Sequence, residues 1–203
     1  MAAAQKLDLY KLHRTEYVTP KVPVFLRIKP AKYVTINGKG SPASEVFQTK
    51  VGSLYGVAFT IKMARKAAGQ DYSVCKLEGL WWGARDESNF SADPPDTWNW
   101  KVLIRVPDSI KEKDLKDAIK ALREKGKPPE VAEVQLETLD EGQCVQILHV
   151  GPYSTEGVSI GKMMALAKEK SLRFRGRHHE IYLSDPRRVA SAKLRTILRH
   201  PVG

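Results

Sequence analysis

The chain has 203 residues, of which 42% are hydrophobic, and a formal net charge of +11. That is enough for one sizeable domain, or for one domain built from two similar halves. No stretch approaches the ~20 apolar residues of a membrane span, and the start lacks the apolar run of a secretory signal. Cys75 and Cys144 fit neither a disulfide framework nor a zinc signature, so we expect a cytoplasmic protein with no membrane partner.

Basic residues are concentrated in the last part of the chain. Residues 171–203 hold Arg173, Arg175, Arg177, Arg187, Arg188, Lys193, Arg195 and Arg199 against only Glu180 and Asp185. Such a cluster can bind phosphate backbones. However, no helix-turn-helix pattern, zinc-finger spacing or RNA-binding aromatic motif accompanies it. We therefore interpret it as a solvated surface and consider nucleic acid unlikely as a main partner.

In chain order, residues 1–30 come first and are rich in lysine and proline. We expect them to form an extended arm. The remaining residues, 31–203, are expected to form one domain. Within it, we predict a first half at 31–107, a connecting helix at 108–130 and a second half at 131–203.

Each half reads as strand, helix, strand, strand. The helix of the first half is predicted to begin with Ser41 as its N-cap, followed by Pro42 at the first helical position, and to end at Gly69. A narrow apolar stripe predicts the connecting helix. The polar loop at 83–96 is a candidate rim or lid for a binding site.

The two halves also resemble each other in sequence, segment by segment and in the same order. Both copies contain a strand with a glycine turn, a strand with a central glutamate and a last strand ending in proline. The matching segments are "YVTINGKGSP" (33–42) with "CVQILHVGPY" (144–153), "KLEGLWW" (76–82) with "HHEIYLS" (178–184), and "WKVLIRVP" (100–107) with "LRTILRHP" (194–201). This predicts an α+β fold of two strand-helix-strand-strand units related by a pseudo-twofold. Glu78 and Glu180 would then line the two walls of one central cleft.

Strand periodicity predicts which side chains share a face. Residues two apart point the same way, so Glu78 is expected beside Trp82, and Glu180 beside Tyr182. Trp81 would face the other side, unless a bulge exchanges the two tryptophans. A tryptophan in a strand is more often core than ligand platform. Two glutamates in matching segments, each followed by an aromatic residue on the same face of its strand, nevertheless favour a ligand pocket.

Further aromatic residues are expected to complete this pocket. Trp100 comes from the following strand, Tyr55 and Phe59 come from the first helix, and Tyr153 lies at the start of the second. Flat aromatic faces around a carboxylate suit a planar hydrophobic small molecule. We predict such a molecule as the ligand.

Metal and cofactor sites are less well supported. His178 and Glu180 can converge on one face of a strand, but a third ligand would have to come from elsewhere, for example His149. The glycines of "NGKGSP" could hold an anion at a helix N-terminus, yet the motif lacks the ending of a phosphate loop. We therefore predict neither a metal nor a cofactor.

Several motifs resemble stand-alone GyrI-like proteins. In the second half these are "HVGPY" (149–153), "HHEIYLSDPRRV" (178–189) and "KLRTILRHPV" (193–202), and in the first half "INGKG" (36–40) and "EGLWWG" (78–83). The resemblance runs from about residue 16 to residue 203. It implies a tandem of strand-helix-strand-strand units around a central ligand cleft.

The resemblance also implies two functions. Effector domains of this family bind bulky, often cationic drugs through a buried glutamate. Some stand-alone members are cyclopropanoid cyclopropyl hydrolases, which open the cyclopropane ring of DNA-alkylating natural products of the yatakemycin and duocarmycin type and so detoxify them. "EGLWWG" and "HHEIYLSDP" look more like this hydrolase branch.

On this interpretation Glu180 activates a water molecule and Tyr153 is its catalytic partner. The residues expected to contact the ligand are Trp81, Trp82, Trp100, Glu78, Tyr55, Phe59 and Tyr182. The alternative function is a non-catalytic multidrug-binding module that senses or sequesters lipophilic ligands. The sequence leaves open whether the protein is a monomer or a homodimer.

Overall fold

The computed structural model describes residues 6–83, 87 and 93–203, which form one antiparallel sheet of eight strands and five α-helices. Most of the predicted rim at 83–96 and the first five residues of the predicted arm lie outside this described part. None of the described helices is long and apolar enough to cross a membrane.

The helices and the antiparallel strands together form an α+β fold. The helices are α1 (Leu9–Leu12), α2 (Arg14–Tyr17), α3 (Glu45–Ala67), α4 (Glu112–Glu124) and α5 (Glu156–Glu169). The strands are β1 (Val24–Ile28), β2 (Ala31–Lys39), β3 (Leu77–Trp82), β4 (Asn99–Arg105), β5 (Gln135–Leu139), β6 (Gly142–Val150), β7 (His178–Tyr182) and β8 (Arg195–Pro201). Short 3-10 helices occupy Pro95–Thr97, Pro129–Glu133, Tyr153–Thr155 and Ser191–Lys193.

The sheet confirms the predicted tandem architecture. Its strand order is β1-β6-β8-β7-β3-β4-β2-β5. One unit is β2-α3-β3-β4 and the other is β6-α5-β7-β8, and they join where β3 pairs with β7. Helix α3 packs on β2 and β4, whereas α5 packs on β6. The two central strands therefore lie between the areas covered by the two helices.

The N-terminal segment differs from the predicted extended arm. It contains α1, α2 and strand β1, which pairs with β6 at the edge of the sheet. Leu9, Tyr17 and Ile28 are buried. Burial of these apolar side chains stabilises a folded segment, although its composition of lysine and proline suggested otherwise.

Helix α3 begins three residues later than its predicted first position, Pro42. Ser44, not Ser41, is the N-cap, and its hydroxyl oxygen accepts a hydrogen bond from the backbone N–H of Phe47 at 3.2 Å. The helix ends at Ala67, and Gly69 follows with φ of 77°, a left-handed conformation that glycine adopts readily. The connecting helix α4 buries Leu115 and Leu122, as its apolar stripe predicts.

The two faces of the sheet have different coverings. We call the face beneath α3 and α5 the front face, and its core contains Ile36 and Val102 under α3 and Ile147 and Leu198 under α5. The opposite face, the back face, carries separate apolar clusters. One of these buries Ile181 against Tyr17 of α2.

Candidate functional site

The register between β3 and β7 decides which residues meet at the centre of the sheet. Gly79 lies directly opposite Glu180, and Glu78 lies opposite Ile181. Opposed residues of an antiparallel pair share a face, and neighbours along a strand alternate. Glu180 is therefore on the front face and Glu78 on the back face. The predicted pairing of Glu78 with Glu180 in one cleft is wrong, because the sequence comparison of the two repeats slipped by one residue.

On the front face, Glu180 is surrounded by polar groups on aromatic rings. Its side chain is buried, and the hydroxyl of Tyr182 hydrogen-bonds to it. The indole N–H of Trp81 donates to the Tyr182 hydroxyl oxygen at 2.9 Å. Burial and the charge of Glu180 raise the pKa of Tyr182 well above its usual value, so this phenol stays protonated as a donor.

Gly79 makes this arrangement sterically feasible. A Cβ atom at residue 79 would lie 2.9 Å from both the Trp81 indole nitrogen and the Tyr182 hydroxyl oxygen. Since real Cβ contacts are longer than this, any other residue would push the two rings apart. The glycine of "EGLWWG" therefore allows Trp81 and Tyr182 to close over β3.

Glu156 also belongs to this cluster, and sequence reasoning missed it. It is the first residue of α5 and is buried at 5% exposure. Burial, the charge of Glu180 and a hydrogen bond to Glu180 raise the pKa of Glu156 to about 10, although a hydrogen bond with Thr196 acts in the opposite direction. Glu156 therefore holds a proton at neutral pH. A glutamate in a first helical turn is so common that its sequence position carries no distinguishing signal.

Tyr153 lies at the rim of the cluster. It opens the 3-10 helix that leads into α5, and its ring meets that of Tyr182 edge-on, with centroids 6.1 Å apart. It is 40% exposed. Burial, Glu180 and Glu156 raise the pKa of Tyr153 to about 12, so its hydroxyl is a proton donor at neutral pH.

One group of residues here has ligand atoms close enough to hold a metal ion. Single ligand atoms of Glu156, His178 and Glu180 lie within 4.8 Å of one another. The third member is thus Glu156 and not His149. The His149 ring instead hydrogen-bonds with the Ser159 hydroxyl at 3.0 Å and the Pro152 carbonyl at 3.2 Å, and so fixes the turn before Tyr153.

Without a metal, the proton on Glu156 relieves the repulsion between the carboxyl groups of Glu156 and Glu180. That the site uses no metal stays a prediction.

The other predicted ligand residues have different surroundings. Trp100 is fully buried: its indole N–H donates to the Gly40 carbonyl at 3.1 Å, and its ring packs edge-on against Phe47. It is a core residue. On α3, Tyr55 and Phe59 stack at 6.2 Å, and Phe59 is 51% exposed, so a surface ligand can reach it.

Trp82 and Glu78 both belong to the back face. The Arg177 guanidinium lies 3.8 Å from the centre of the Trp82 ring, on the side of the sheet opposite Glu180. Glu78 accepts hydrogen bonds from Tyr17 at 3.1 Å and from His179 at 3.0 Å. Neither residue faces the cluster around Glu180, which corrects their predicted place in the pocket.

Glu78 belongs to a buried network of alternating charges. His179 donates from its other ring nitrogen to Glu141 at 2.9 Å, and Arg199 donates to the second oxygen of Glu141, also at 2.9 Å. Burial lowers the pKa of His179, but the two carboxylates outweigh this and raise it to about 9. Burial also raises the pKa of Glu141, but His179 and Arg199 outweigh it and lower the value to about 2. This network is structural, because every charge in it has a partner.

The back face also contains a cavity of about 220 Å³. Tyr33, Leu80 and Lys101 are among its lining residues, and none of the predicted ligand residues lines it. Lys101 forms an ion pair with Glu137 in its wall. We favour the front face as the functional site, because there a buried carboxyl group, Glu180, is hydrogen-bonded to another carboxyl group, Glu156.

Several solved structures of other proteins are similar to this chain in fold. An uncharacterised conserved protein from Listeria innocua is 36% identical with a TM-score of 0.90, and the match covers 98% of this chain and 100% of that one. A Listeria innocua hydrolase encoded by lin2189 is 34% identical, with the same coverage and TM-score. The EcmrR C-terminal domain is 11% identical over 89% of this chain and 96% of its own, with a TM-score of 0.60, and so shares the fold alone.

The search among curated proteins found no match. Residues 22–202 match the GyrI-like small molecule binding domain, which spans nearly the whole chain. The front-face cluster occupies the junction of the two repeated units of that domain. The chain belongs to the family of GyrI-like small-molecule-binding domains.

Proposed function

We propose that this protein is a hydrolase that opens the cyclopropane ring of planar DNA-alkylating molecules of the yatakemycin and duocarmycin type. The observation that carries the proposal is the buried carboxyl group of Glu180, placed among the rings of Trp81, Tyr182 and Tyr153. The hydrolase from Listeria innocua, which is 34% identical over nearly the whole chain, supports the reaction class.

The chemistry requires one water molecule and one base. The substrate carries a strained three-membered ring conjugated to a dienone. The oxygen of the water forms a bond to a ring carbon, one carbon–carbon bond of the cyclopropane breaks, and its electron pair moves into the dienone to give a phenolate. Glu180 accepts the proton that the water loses. General base catalysis of this kind contributes typically ~10²–10⁴-fold to a rate.

The phenol groups of the site can stabilise the negative charge that develops as the cyclopropane ring opens. A phenolate oxygen develops as the ring opens, and a protonated hydroxyl stabilises that charge by donating to it. Tyr153 fits this role because its pKa of about 12 keeps it protonated at neutral pH and because it lies at the exposed rim. The ring faces of Trp81 and Tyr182 exclude bulk water from the carboxylate.

Incubation of the protein with a cyclopropane-bearing alkylator tests the reaction directly. We expect the ring-opened product to form faster than in buffer, and we expect Glu180→Gln to lose turnover by about 10²-fold or more, since the amide keeps the shape and loses basicity. Glu169→Gln, at an exposed position of the same helix that carries Glu156, is the matched control and should keep the wild-type rate. Product formation that does not exceed buffer would overturn the proposal.

The second candidate function is binding without turnover, to sense or sequester lipophilic drugs. A carboxylate among aromatic faces also suits a lipophilic cation. For this function, a cationic rhodamine dye should bind much more tightly than a neutral molecule of the same shape, and no substrate should be consumed. Equal binding of the two would exclude a charge-based site. A cytoplasmic location, and the choice between monomer and homodimer, stay predictions.

A further inference from the structure

We infer that Glu156, His178 and Glu180 form a three-ligand site for a zinc ion, and that a bound zinc ion blocks the proposed hydrolysis. The binding site stands on the geometry of the three side chains. The blocking effect rests on the proposed function, because it depends on Glu180 as the base. The reaction itself remains metal-free, and the zinc ion acts as its inhibitor.

Two regular elements bring the three ligands together. His178 and Glu180 are two residues apart on β7 and so share the front face of the sheet. Glu156 reaches the same place from the first turn of α5. All three residues are buried, with exposures of 6% or less, and one ligand atom from each lies within 4.8 Å of the other two. Ligands held in this way need little rearrangement to close around an ion.

The spacing and the chemistry of the ligands fit zinc. Zinc binds imidazole nitrogen and carboxylate oxygen at about 2.0–2.2 Å in tetrahedral geometry, which places two of its ligand atoms ~3.4 Å apart. The Nε2 atom of His178 and the Oε1 atom of Glu180 are 3.5 Å apart. An imidazole ligand disfavours Mg²⁺ and Ca²⁺, which prefer oxygen. Three protein ligands leave the fourth position of the ion to a water molecule.

Charge and hydrogen bonding also favour an ion between the two carboxyl groups. Two carboxylates with little water around them repel each other, and a divalent ion neutralises both. The Oε1 atom of Glu156 is buried and has no hydrogen-bond partner within the part of the chain that the structure describes. A buried oxygen without a partner costs free energy, and coordination to a metal would remove that cost.

Neighbouring side chains hold the two carboxyl ligands in place. Tyr182 hydrogen-bonds to Glu180, and Thr196 hydrogen-bonds to Glu156. Metal-binding carboxylates in proteins usually have such partners. Tyr153 lies at the rim of the same cluster and is 40% exposed, so an ion would enter from this side.

A zinc ion at this site would stop the proposed reaction. Glu180 accepts the proton of water with a lone pair of its carboxylate, and that lone pair would be bound to the ion. The ion would also take up space beside Glu180, where the attacking water has to lie. Zinc should therefore be a reversible inhibitor that a chelator removes.

Zinc binding is measured without any substrate. After dialysis against EDTA, the protein is titrated with ZnCl₂ by calorimetry, and bound zinc is counted by equilibrium dialysis. We expect one zinc ion per chain. Glu156→Gln and His178→Gln should each weaken binding by about tenfold or more, since even the partners of metal ligands typically contribute that much.

His13→Gln is the control for these variants. His13 lies between α1 and α2, outside the cluster, so this variant should keep the wild-type affinity for zinc. Wild-type affinity in either Glu156→Gln or His178→Gln would overturn the inference.

NMR of the wild-type protein tests the site even where a variant does not fold. His178 and His179 are neighbours on opposite faces of the sheet. Zinc should shift the ring signals of His178 strongly, and those of His179, which lies between Glu78 and Glu141, much less. Equal shifts of the two rings, or no shift of either, would refute the site.

Turnover of the alkylator with and without zinc tests the blocking effect. With saturating zinc, the rate should fall by about tenfold or more because general base catalysis is lost, and EDTA should restore it. Unchanged turnover in the zinc-bound protein would refute the block. A protein that binds zinc as expected but opens no cyclopropane ring in its metal-free form would refute the hydrolase and leave the zinc site intact.

Discussion

Two neighbouring residues of β7, His179 and Glu180, lie on opposite faces of the sheet in contrasting environments. Both are almost completely buried. On the back face, His179 lies between two carboxylates, Glu78 and Glu141. On the front face, Glu180 meets a second carboxyl group, Glu156. Burial is thus common to a structural site and to a candidate functional site. The two sites differ in the chemical type of the neighbours, which are partners of opposite charge for His179 and a second carboxyl group for Glu180.

The pKa shifts show what each arrangement does to stability. On the back face, the raised pKa of His179 and the lowered pKa of Glu141 mean that folding favours their charged forms, which stabilises the protein. On the front face, the raised pKa of Glu156 means that folding prevents an ionisation that the unfolded chain allows at neutral pH, which destabilises the protein. A strained arrangement of this kind is typical of functional sites.

The largest effect is expected from breaking the back-face network. Arg199→Met removes the cation that donates to Glu141, Gln146 and the Glu16 carbonyl, and leaves a buried carboxylate short of a partner. Removing one member of a buried ion pair typically costs about 3–5 kcal/mol. We expect a loss of that size in the free energy of unfolding, measured by urea denaturation.

Lys113→Met provides the comparison for this variant. Lys113 forms an ion pair with Asp117 at 2.6 Å, but both side chains are exposed. Solvent screens such a pair, so its removal should leave the urea midpoint unchanged within error. If Arg199→Met were equally mild, the back-face network would not be a major source of stability.

The next largest effect is a pH dependence of stability that arises at His179. Its folded pKa of about 9 lies above the ordinary value of 6.5, so its contribution is fully present below pH 6.5 and is lost as pH rises through 9. The shift corresponds to at most about 3 kcal/mol. We expect the free energy of unfolding to fall over this interval, and we expect NMR to show the His179 ring titrating near pH 9.

Glu156 contributes a fall of the same sign over this interval, because its folded pKa is also raised. His179→Gln separates the two contributions, since it removes only the back-face titration. Its unfolding free energy should decline less steeply between pH 6.5 and 9 than that of the wild type. Parallel curves for the two proteins would contradict the assignment of a charged His179.

These effects also show how far the sequence alone could lead. The internal repeat predicted the tandem fold, and strand alternation correctly placed Tyr182 beside Glu180. The same alternation cannot fix the alignment of two diverged repeats to within one residue. An alignment error of one residue is enough to place Glu78 on the wrong face of the sheet. Glu156 was missed for a different reason. Its environment comes from packing of α5 on the sheet, and nothing in its own sequence position reports that packing.

A smaller effect, of opposite sign, is expected at Glu156. Glu156→Gln removes the ionisation that favours the unfolded chain above pH 4.5, so the variant should be more stable than the wild type by at least about 1 kcal/mol at pH 8. At pH 4 the wild-type carboxyl is largely protonated in both states, and the gain should disappear. Thermal unfolding at both pH values measures this, with Glu169→Gln as the exposed control. A variant that is less stable at pH 8 would argue against a carboxyl group that is protonated in the folded state.

The smallest effect is expected on ligand affinity, when substitutions of two adjacent tryptophans on opposite faces of β3 are compared. Trp81→Phe keeps an aromatic ring on the front face but removes the N–H that donates to Tyr182. One such hydrogen bond contributes about 1 kcal/mol, so rhodamine 6G should bind about fivefold more weakly. Trp82→Phe changes only the back face, where the ring packs under Arg177, and should alter the affinity less than twofold. Calorimetry suits both variants because it needs no tryptophan signal. A larger loss of affinity in Trp82→Phe than in Trp81→Phe would place the ligand on the back face and contradict the front-face site.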